Sequence, residues 1–202
     1  MILYSGVFLS GFILLLFEIL GIRILTPDFG GHILTVSGVI GVFLLALSIG
    51  YEVGGRLADR NPRVSFFALL FVISGVVLWI FTHFARSLSR WIAEYEIGKV
   101  FAPYFAAFFI FTIPAGMMAT ISPFAIRLGA FTLEKVGSTS GRIFAVSTVG
   151  SIFGALSSPF LIHYFQIRPV LYTASALLIV YGLLVYFFSA QKLWQNIKVE
   201  GG

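Results

Sequence analysis

One carboxylate, Glu18, stands inside a long apolar run of the sequence. An ionised side chain at the centre of a membrane helix costs about 2.5 to 3.5 kcal/mol to insert. Glu18 is therefore expected to face the interior of a helix bundle or a wet cavity, where a carboxylate can bind a cation or carry a proton. A structural hydrogen bond, or a protonated carboxyl that locks two helices together, explains the residue equally well.

The cation that follows Glu18 most closely is Arg23, five residues later. Five residues turn an α-helix by about 140°, so the two side chains do not share a face. We therefore expect Glu18 to pair with another helix. Arg23 is kept with Glu18 as a candidate for binding the substrate or a proton.

Small residues recur every four positions in the segment GRIFAVSTVGSIFGALSSPF. One row is Gly150, Gly154 and Ser158, and the other is Ser147, Ser151 and Ala155. Such rows allow two helix backbones to approach closely, so helix packing is the simpler interpretation. A helix of small residues can also border a substrate cavity, and Ser147 is the candidate for that role.

Charged residues spaced by four mark the end of the second apolar run. Glu52 precedes Arg56, and Asp59 precedes Arg63, so each pair can meet on one face of a helix. Charges that stabilise a helix end at the membrane interface explain these pairs as well as a switching role does. Arg127, at the end of the fourth run, is expected to extend toward the lipid headgroups.

The sequence offers no constellation for catalysis or for a metal. It contains no Cys, which excludes disulfides, thiolate nucleophiles and Cys-based metal sites. His32, His83 and His163 are isolated, without an HExxH motif. Neither a GxSxG elbow nor a GxxxxGKS loop is present. We therefore expect no enzyme, no metal and no cofactor.

The composition is that of a membrane protein. Of the 202 residues, 59% are hydrophobic and only 10% are charged, unlike a usual soluble domain. The formal charge is +5, but the basic residues sit in short loops where membrane topology already requires them. No basic cluster remains for nucleic acid.

A spanning helix needs about 20 mostly apolar residues, and the sequence predicts six such helices in an all-α, polytopic membrane protein. They run from Tyr4 to Leu25, Ile33 to Gly55, Val64 to Phe84, Phe101 to Ile126, Gly141 to Phe165 and Pro169 to Phe188. The first is expected to be a retained span, because it lacks the features of a cleaved signal. Pro114 and Pro123 are expected to kink the fourth. Residues 85–100 are expected to lie along the membrane interface.

Lys and Arg are more numerous on one side of these spans than on the other. The richer side has Arg56, Arg60, Arg63, Arg127, Lys135, Arg142, Lys192 and Lys198, and the poorer side has Arg23, Arg86, Arg90, Lys99 and Arg168. By the positive-inside rule, both termini are cytoplasmic, and the expected location is the plasma (cytoplasmic) membrane. The predicted organisation is a six-helix domain over residues 1–190 and a short cytoplasmic tail over 191–202.

Four segments form a familiar pattern: FLSGFILLLFEILGIRIL, LSIGYEVGGRLADR, PAGMMATISPFAIRL and GRIFAVSTVGSIFGAL. They resemble the membrane domain of spermidine synthase-like proteins, in which that domain is usually joined to a soluble aminopropyltransferase-like domain. The first carries the pattern Ser10, Gly11, Phe17, Glu18 and Arg23. Ser147 stands where the pattern has Asn, and Gln166 stands where it has Gly.

The segment GGRLADRNPR is similar to the signature Gly-x-Leu-Ala-Asp-Arg-x-Gly-Arg between helices two and three of major facilitator transporters. The matching residues are Gly55, Leu57, Ala58, Asp59, Arg60 and Arg63, with Pro62 in place of the second Gly. The resemblance implies a major facilitator-like half bundle, and therefore a homodimer whose two copies enclose a path. It also implies that the signature, with Arg142, forms a gating contact between bundles. Asp59 would then approach the start of the fifth span, near Arg142 of the partner subunit.

Three functions follow from these residues. The leading one is a half-size secondary transporter that acts as a homodimer on a small polar or cationic solute, polyamine-like by association with the family name. The second is a non-transporting membrane anchor or regulatory module for a separate aminopropyltransferase-like enzyme. The third, an enzyme acting on lipids or peptides within the membrane, lacks a nucleophile with a base beside it.

Overall fold

A computed structural model describes residues 2–95, 98, 100–130 and 136–200, the stretch 190–200 by its backbone alone. Lys99, Lys135 and the tail residues 201–202 lie outside the described residues, and the side chains of Lys192 and Lys198 are not described. The helices are α1 (Ile2–Phe29), α2 (Ile33–Arg60), α3 (Val64–Glu94), α4 (Ala102–Ala119), α5 (Ile121–Gly129), α6 (Val136–Tyr164) and α7 (Ile167–Glu200). The described residues contain no strand. Since α4 and α5 together form one span, the described chain has six apolar spans, which confirms the predicted fold class.

The helices extend beyond the predicted spans, most clearly in α3. This helix continues to Glu94, so residues 85–94 extend α3 and do not form a separate segment; that residues 85–100 lie along the membrane interface stays a prediction. The reason for the extension is polar contact with α1, because Ser89 donates a hydrogen bond of 2.5 Å to Asp28. Arg86 donates one of 3.4 Å to the carbonyl of Ile24. These contacts hold the end of α3 against the bundle.

The fourth span is broken at Thr120, between α4 and α5. Pro123 has no N–H group, so the carbonyl of Ala119 loses its usual helical donor and the proline ring crowds the preceding turn. The Thr120 hydroxyl donates a hydrogen bond of 2.7 Å to the carbonyl of Met117. The break therefore lies beside Pro123, while Pro114 lies inside the continuous helix α4.

Glycines bring two pairs of helices into backbone contact. A Cβ atom at Gly150 or Gly154 of α6 would overlap the carbonyl oxygen of Phe8 or Phe12 in α1. A Cβ atom at Gly50 of α2 would overlap the carbonyl oxygen of Gly116 in α4. The helix pairs α1–α6 and α2–α4 therefore pack as closely as small-residue motifs in membranes allow.

Helix α1 lies at the centre of the bundle and contacts each of the other six helices. Its Phe17 is buried against Phe43 of α2 and Phe111 of α4, with ring centroids 5.4 Å away in both cases. Aromatic rings at this separation pack favourably edge to face. This cluster sets the rotation of α1 about its own axis.

Candidate substrate cavity

A cavity of about 160 Å³ lies between α1, α2, the α4–α5 break and α6. Its polar lining comes from four of these helices, as hydroxyl groups and one carboxylate. The lining residues are Ser10, Gly11, Leu14, Leu15, Glu18, Leu47, Tyr51, Met118, Ala119, Ser122, Phe144, Ser147, Thr148 and Ser151. The cavity extends about 12 Å along α1, from Glu18 toward its N-terminus.

Glu18 lies at one end of the cavity lining on α1. Its direction follows from the residue before it, Phe17. Phe17 is only 1% exposed and packs in the aromatic core. The next residue of a helix points about 100° away, which directs Glu18 out of the core and into the cavity. Phe17 thus anchors α1 in the core, and Glu18 presents a carboxylate to the cavity.

The Glu18 carboxylate makes no hydrogen bond or ion pair with another side chain in the described part of the protein. No Lys, Arg or His is among the described residues that line the cavity. Its electrostatic character is therefore set by one carboxylate and a ring of hydroxyls, which can accept hydrogen bonds from a cationic solute. A membrane carboxylate without a partner is typical of a substrate or proton site.

The cavity opens onto the outer surface of the single chain. Tyr51 is 40% exposed and Phe144 is 46% exposed, and Thr148, which also lines the cavity, is exposed as well. A polar opening of this kind between membrane-spanning helices cannot face hydrocarbon without cost. A second bundle or a water-filled path is needed to cover it.

The wall between α1 and α6 is built by the small-residue rows. Ser151 donates a hydrogen bond of 3.1 Å to the carbonyl of Gly11. A Cβ atom at Gly11 would overlap the carbonyl oxygen of Ser147. Ser158, which is fully buried, donates to the carbonyl of Ala155 at 2.8 Å. The row that ends at Ser158 therefore faces α1, and the row that begins at Ser147 borders the cavity.

The structure brings together Glu18 and Ser147 but not Arg23. Arg23 lies beyond Glu18 toward the other end of α1 and lines a different cavity. Sequence analysis did not identify Tyr51, Ser122 or Thr148 as part of the site. Tyr51 stands directly before Glu52 at the end of an apolar run, and that position was the only signal for it in the sequence.

The signature residues lie at the end of α2, away from the cavity. Arg127 donates a hydrogen bond of 3.1 Å to Asp59, a pair that the sequence did not predict; that Arg127 extends toward the headgroups stays a prediction. Arg56 and Glu52 meet as predicted, at 2.6 Å. Asp59 and Arg63 do not, because α2 ends at Arg60.

The remaining residues expected at the gating contact are three exposed arginines and a glycine with open space beside it. Arg60, Arg63 and Arg142 are exposed on the surface of the chain. A Cβ atom at Gly55 would meet nothing within 4 Å. In the part of the chain that the structure describes, no cluster of His and carboxylate residues has a composition suited to a metal.

Comparison with known proteins gives one match that covers nearly the whole chain. The model of the family described as Major Facilitator Superfamily matches residues 2–200. No curated protein and no solved structure matched the chain.

Proposed function

Since this multi-pass membrane protein belongs to the Major Facilitator Superfamily, we propose that it is a half-size secondary transporter that acts as a homodimer. The family assigns a transporter-like function. The finer statement, that two copies move a small polar or cationic solute between them across the plasma membrane, rests on the Glu18 cavity.

The charge of the cavity supports a cationic solute. Glu18 is the one ionisable group among the described lining residues besides Tyr51, and within the described part of the chain no cation pairs with it. A cationic solute or a coupling proton supplies the missing charge. A polyamine-like amine fits this requirement through its ammonium groups, which donate hydrogen bonds to a carboxylate and to hydroxyls.

The open face of the cavity supports a homodimer. Secondary transporters of this type bind their solute near the bilayer midplane, between two helix bundles that rock around it. One chain supplies one bundle, with Tyr51, Phe144 and Thr148 exposed at the opening. A second copy related by twofold symmetry would cover the opening and complete the site.

Uptake by proteoliposomes tests this function through the variant Glu18→Gln. Labelled spermidine and putrescine are the cationic probes, and a neutral sugar is the control solute. We expect uptake of a cation by the native protein, reduced about 10- to 100-fold in Glu18→Gln, because a charge-assisted hydrogen bond contributes about 1.5 to 3 kcal/mol.

The matched control is Glu52→Gln, which removes an exposed carboxylate outside the cavity. This variant is expected to transport as the native protein does. Full cation uptake by Glu18→Gln would contradict the role of Glu18. Absence of any cation uptake by the native protein would favour the membrane-anchor alternative.

A further inference from the structure

A second cavity, of about 540 Å³, lies between α1, α3 and the turn that joins α6 to α7. Three arginines from three helices line it: Arg23 from α1, Arg86 from α3 and Arg168 from α7. No Asp or Glu is among its described lining residues. The cavity is therefore cationic, in contrast to the Glu18 cavity nearer the other end of the bundle.

The positive charge in this cavity is only partly compensated. Asp28 lies 3.9 Å from the guanidinium of Arg86 and also accepts a hydrogen bond from Ser89. Neither Arg23 nor Arg168 makes an ion pair or hydrogen bond with another side chain in the described ranges. Two guanidinium groups remain available for an anion.

An apolar groove of about 310 Å³ continues from the cavity toward the middle of the bundle. Phe165 lines both the cavity and the groove. The groove lies between α1, α6 and α7, and it exists because α6 and α7 touch each other over a short stretch only. Its walls are apolar side chains and the single hydroxyl of Thr173.

The cavity and the groove together match one leaflet of a bilayer in length. From Arg23 to Phe12 on α1 the rise is about 16 Å, and from Arg168 to Leu177 on α7 it is about 14 Å. The hydrocarbon core of a bilayer is about 30 Å thick, so one leaflet accounts for about 15 Å. The arginines thus lie at headgroup level when the groove lies among the acyl chains.

We propose that this cavity and groove bind an anionic phospholipid. Its phosphate lies among Arg23, Arg86 and Arg168, and one acyl chain fills the groove between α6 and α7. Arginine suits a phosphate because its guanidinium presents several donors in one plane. A lipid satisfies the cationic and the apolar part together, whereas a free anion leaves the groove without an occupant. This inference does not depend on the solute that the Glu18 cavity binds.

Native mass spectrometry of the purified protein, titrated with phosphatidylglycerol, tests the headgroup contacts. We expect Arg23→Gln with Arg168→Gln to weaken binding roughly 30-fold, which corresponds to about 2 kcal/mol for two basic residues. The matched control is Arg90→Gln, an exposed arginine of α3 one turn beyond Arg86 that does not line the cavity. Equal weakening by Arg90→Gln would overturn the site, since it would indicate general surface attraction.

The groove is tested separately by Thr173→Trp, which places a large ring in it from an exposed position. We expect weaker binding of phosphatidylglycerol by this variant and an unchanged thermal unfolding midpoint. Native binding strength in Thr173→Trp would overturn the placement of the acyl chain. Inorganic phosphate is the second probe: if it displaces phosphatidylglycerol at equal concentration, the site takes a free anion and the lipid assignment is wrong.

Discussion

The direction in which the Glu18 carboxylate points is determined by the residue before it, Phe17. Phe17 fixes the rotation of α1 through rings on two other helices, and the helical turn then directs the carboxylate into the cavity. Four helices supply hydroxyl-bearing residues to the cavity but no described cation. The position of one aromatic side chain therefore determines where the charge of the site lies.

At the residue scale, the pair of Asp59 with Arg127 also allows a prediction. The side chain of Asp59 is 73% exposed and that of Arg127 is 50% exposed. Such an exposed pair contributes about 0 to 1 kcal/mol to stability. We expect Asp59→Ala to leave the thermal unfolding midpoint nearly unchanged but to lower the rate of transport, because the resemblance to the major facilitator signature implies that this carboxylate forms a contact between bundles. Proteoliposome uptake and a thermal melt of the same sample measure both quantities.

The exchange Asp59→Arg with Arg127→Asp distinguishes a role of the pair within one chain from a role of Asp59 at the partner subunit. Restored transport in the exchanged variant would mean that the pair acts within one chain, and would contradict a role for Asp59 at the partner subunit. Glu52→Ala breaks the exposed pair with Arg56 and serves as the control. It is expected to affect neither quantity.

Sequence alone predicted Glu18 and Ser147 as neighbours of a cavity but also placed Arg23 with them. The periodicity of a single helix showed that Arg23 points elsewhere; it did not reveal which neighbouring helix each face contacts. Tyr51, Ser122 and Thr148 were missed for the same reason. Each belongs to a different helix, and their convergence depends on packing between helices.

At the element scale, close contact between α1 and α6 forms one wall of the cavity. Gly150 and Gly154 allow that contact because any Cβ atom there would overlap a carbonyl oxygen of α1. The α2–α4 pair is built in the same way around Gly50. The site therefore lies between two helix pairs whose spacing is set by glycines.

Replacing Gly150 with Ala tests this spacing. The added methyl group overlaps the carbonyl of Phe8, so we expect a loss of stability of about 1 to 3 kcal/mol, as for other overpacked interiors. Thermal unfolding in detergent measures it. The control is Gly141→Ala in the same helix, where nothing lies within 4 Å and alanine favours the helix by up to about 1 kcal/mol. An equal effect of the two substitutions would contradict the close contact.

The number and type of elements were predictable, but not their ends. Hydropathy identifies the spans because an apolar helix must cross about 30 Å of hydrocarbon. Hydropathy does not predict that α3 continues to Glu94. That part of α3 is held by a hydrogen bond from Ser89 to Asp28 of α1, which hydropathy cannot detect. The break at Thr120 was foreseen as a kink, because a proline in the interior of a helix removes a hydrogen bond and crowds the preceding turn.

At the scale of the whole molecule, the bundle has two cavities of opposite charge. The Glu18 cavity opens to the side through exposed residues of α2 and α6. The arginine cavity lies near the other end of α1 and continues into an apolar groove toward the middle of the bundle. In the proposed transporter a second bundle covers the first cavity, and in the further proposal a lipid molecule occupies the second.

The central proposal is that two copies face each other across the Glu18 cavity. The chain contains no Cys, so a single introduced thiol reports on one position without interference. Thr148 lines the opening of the cavity on α6. Val180 of α7 is 51% exposed and does not line it, which makes it the matched control.

Cross-linking of Thr148→Cys with a short bis-maleimide in liposomes tests this arrangement most directly. The proposal predicts that Thr148→Cys forms a covalent dimer and that Val180→Cys remains monomeric under the same conditions. A Thr148→Cys protein that stays monomeric, or a Val180→Cys protein that cross-links as readily, would contradict it.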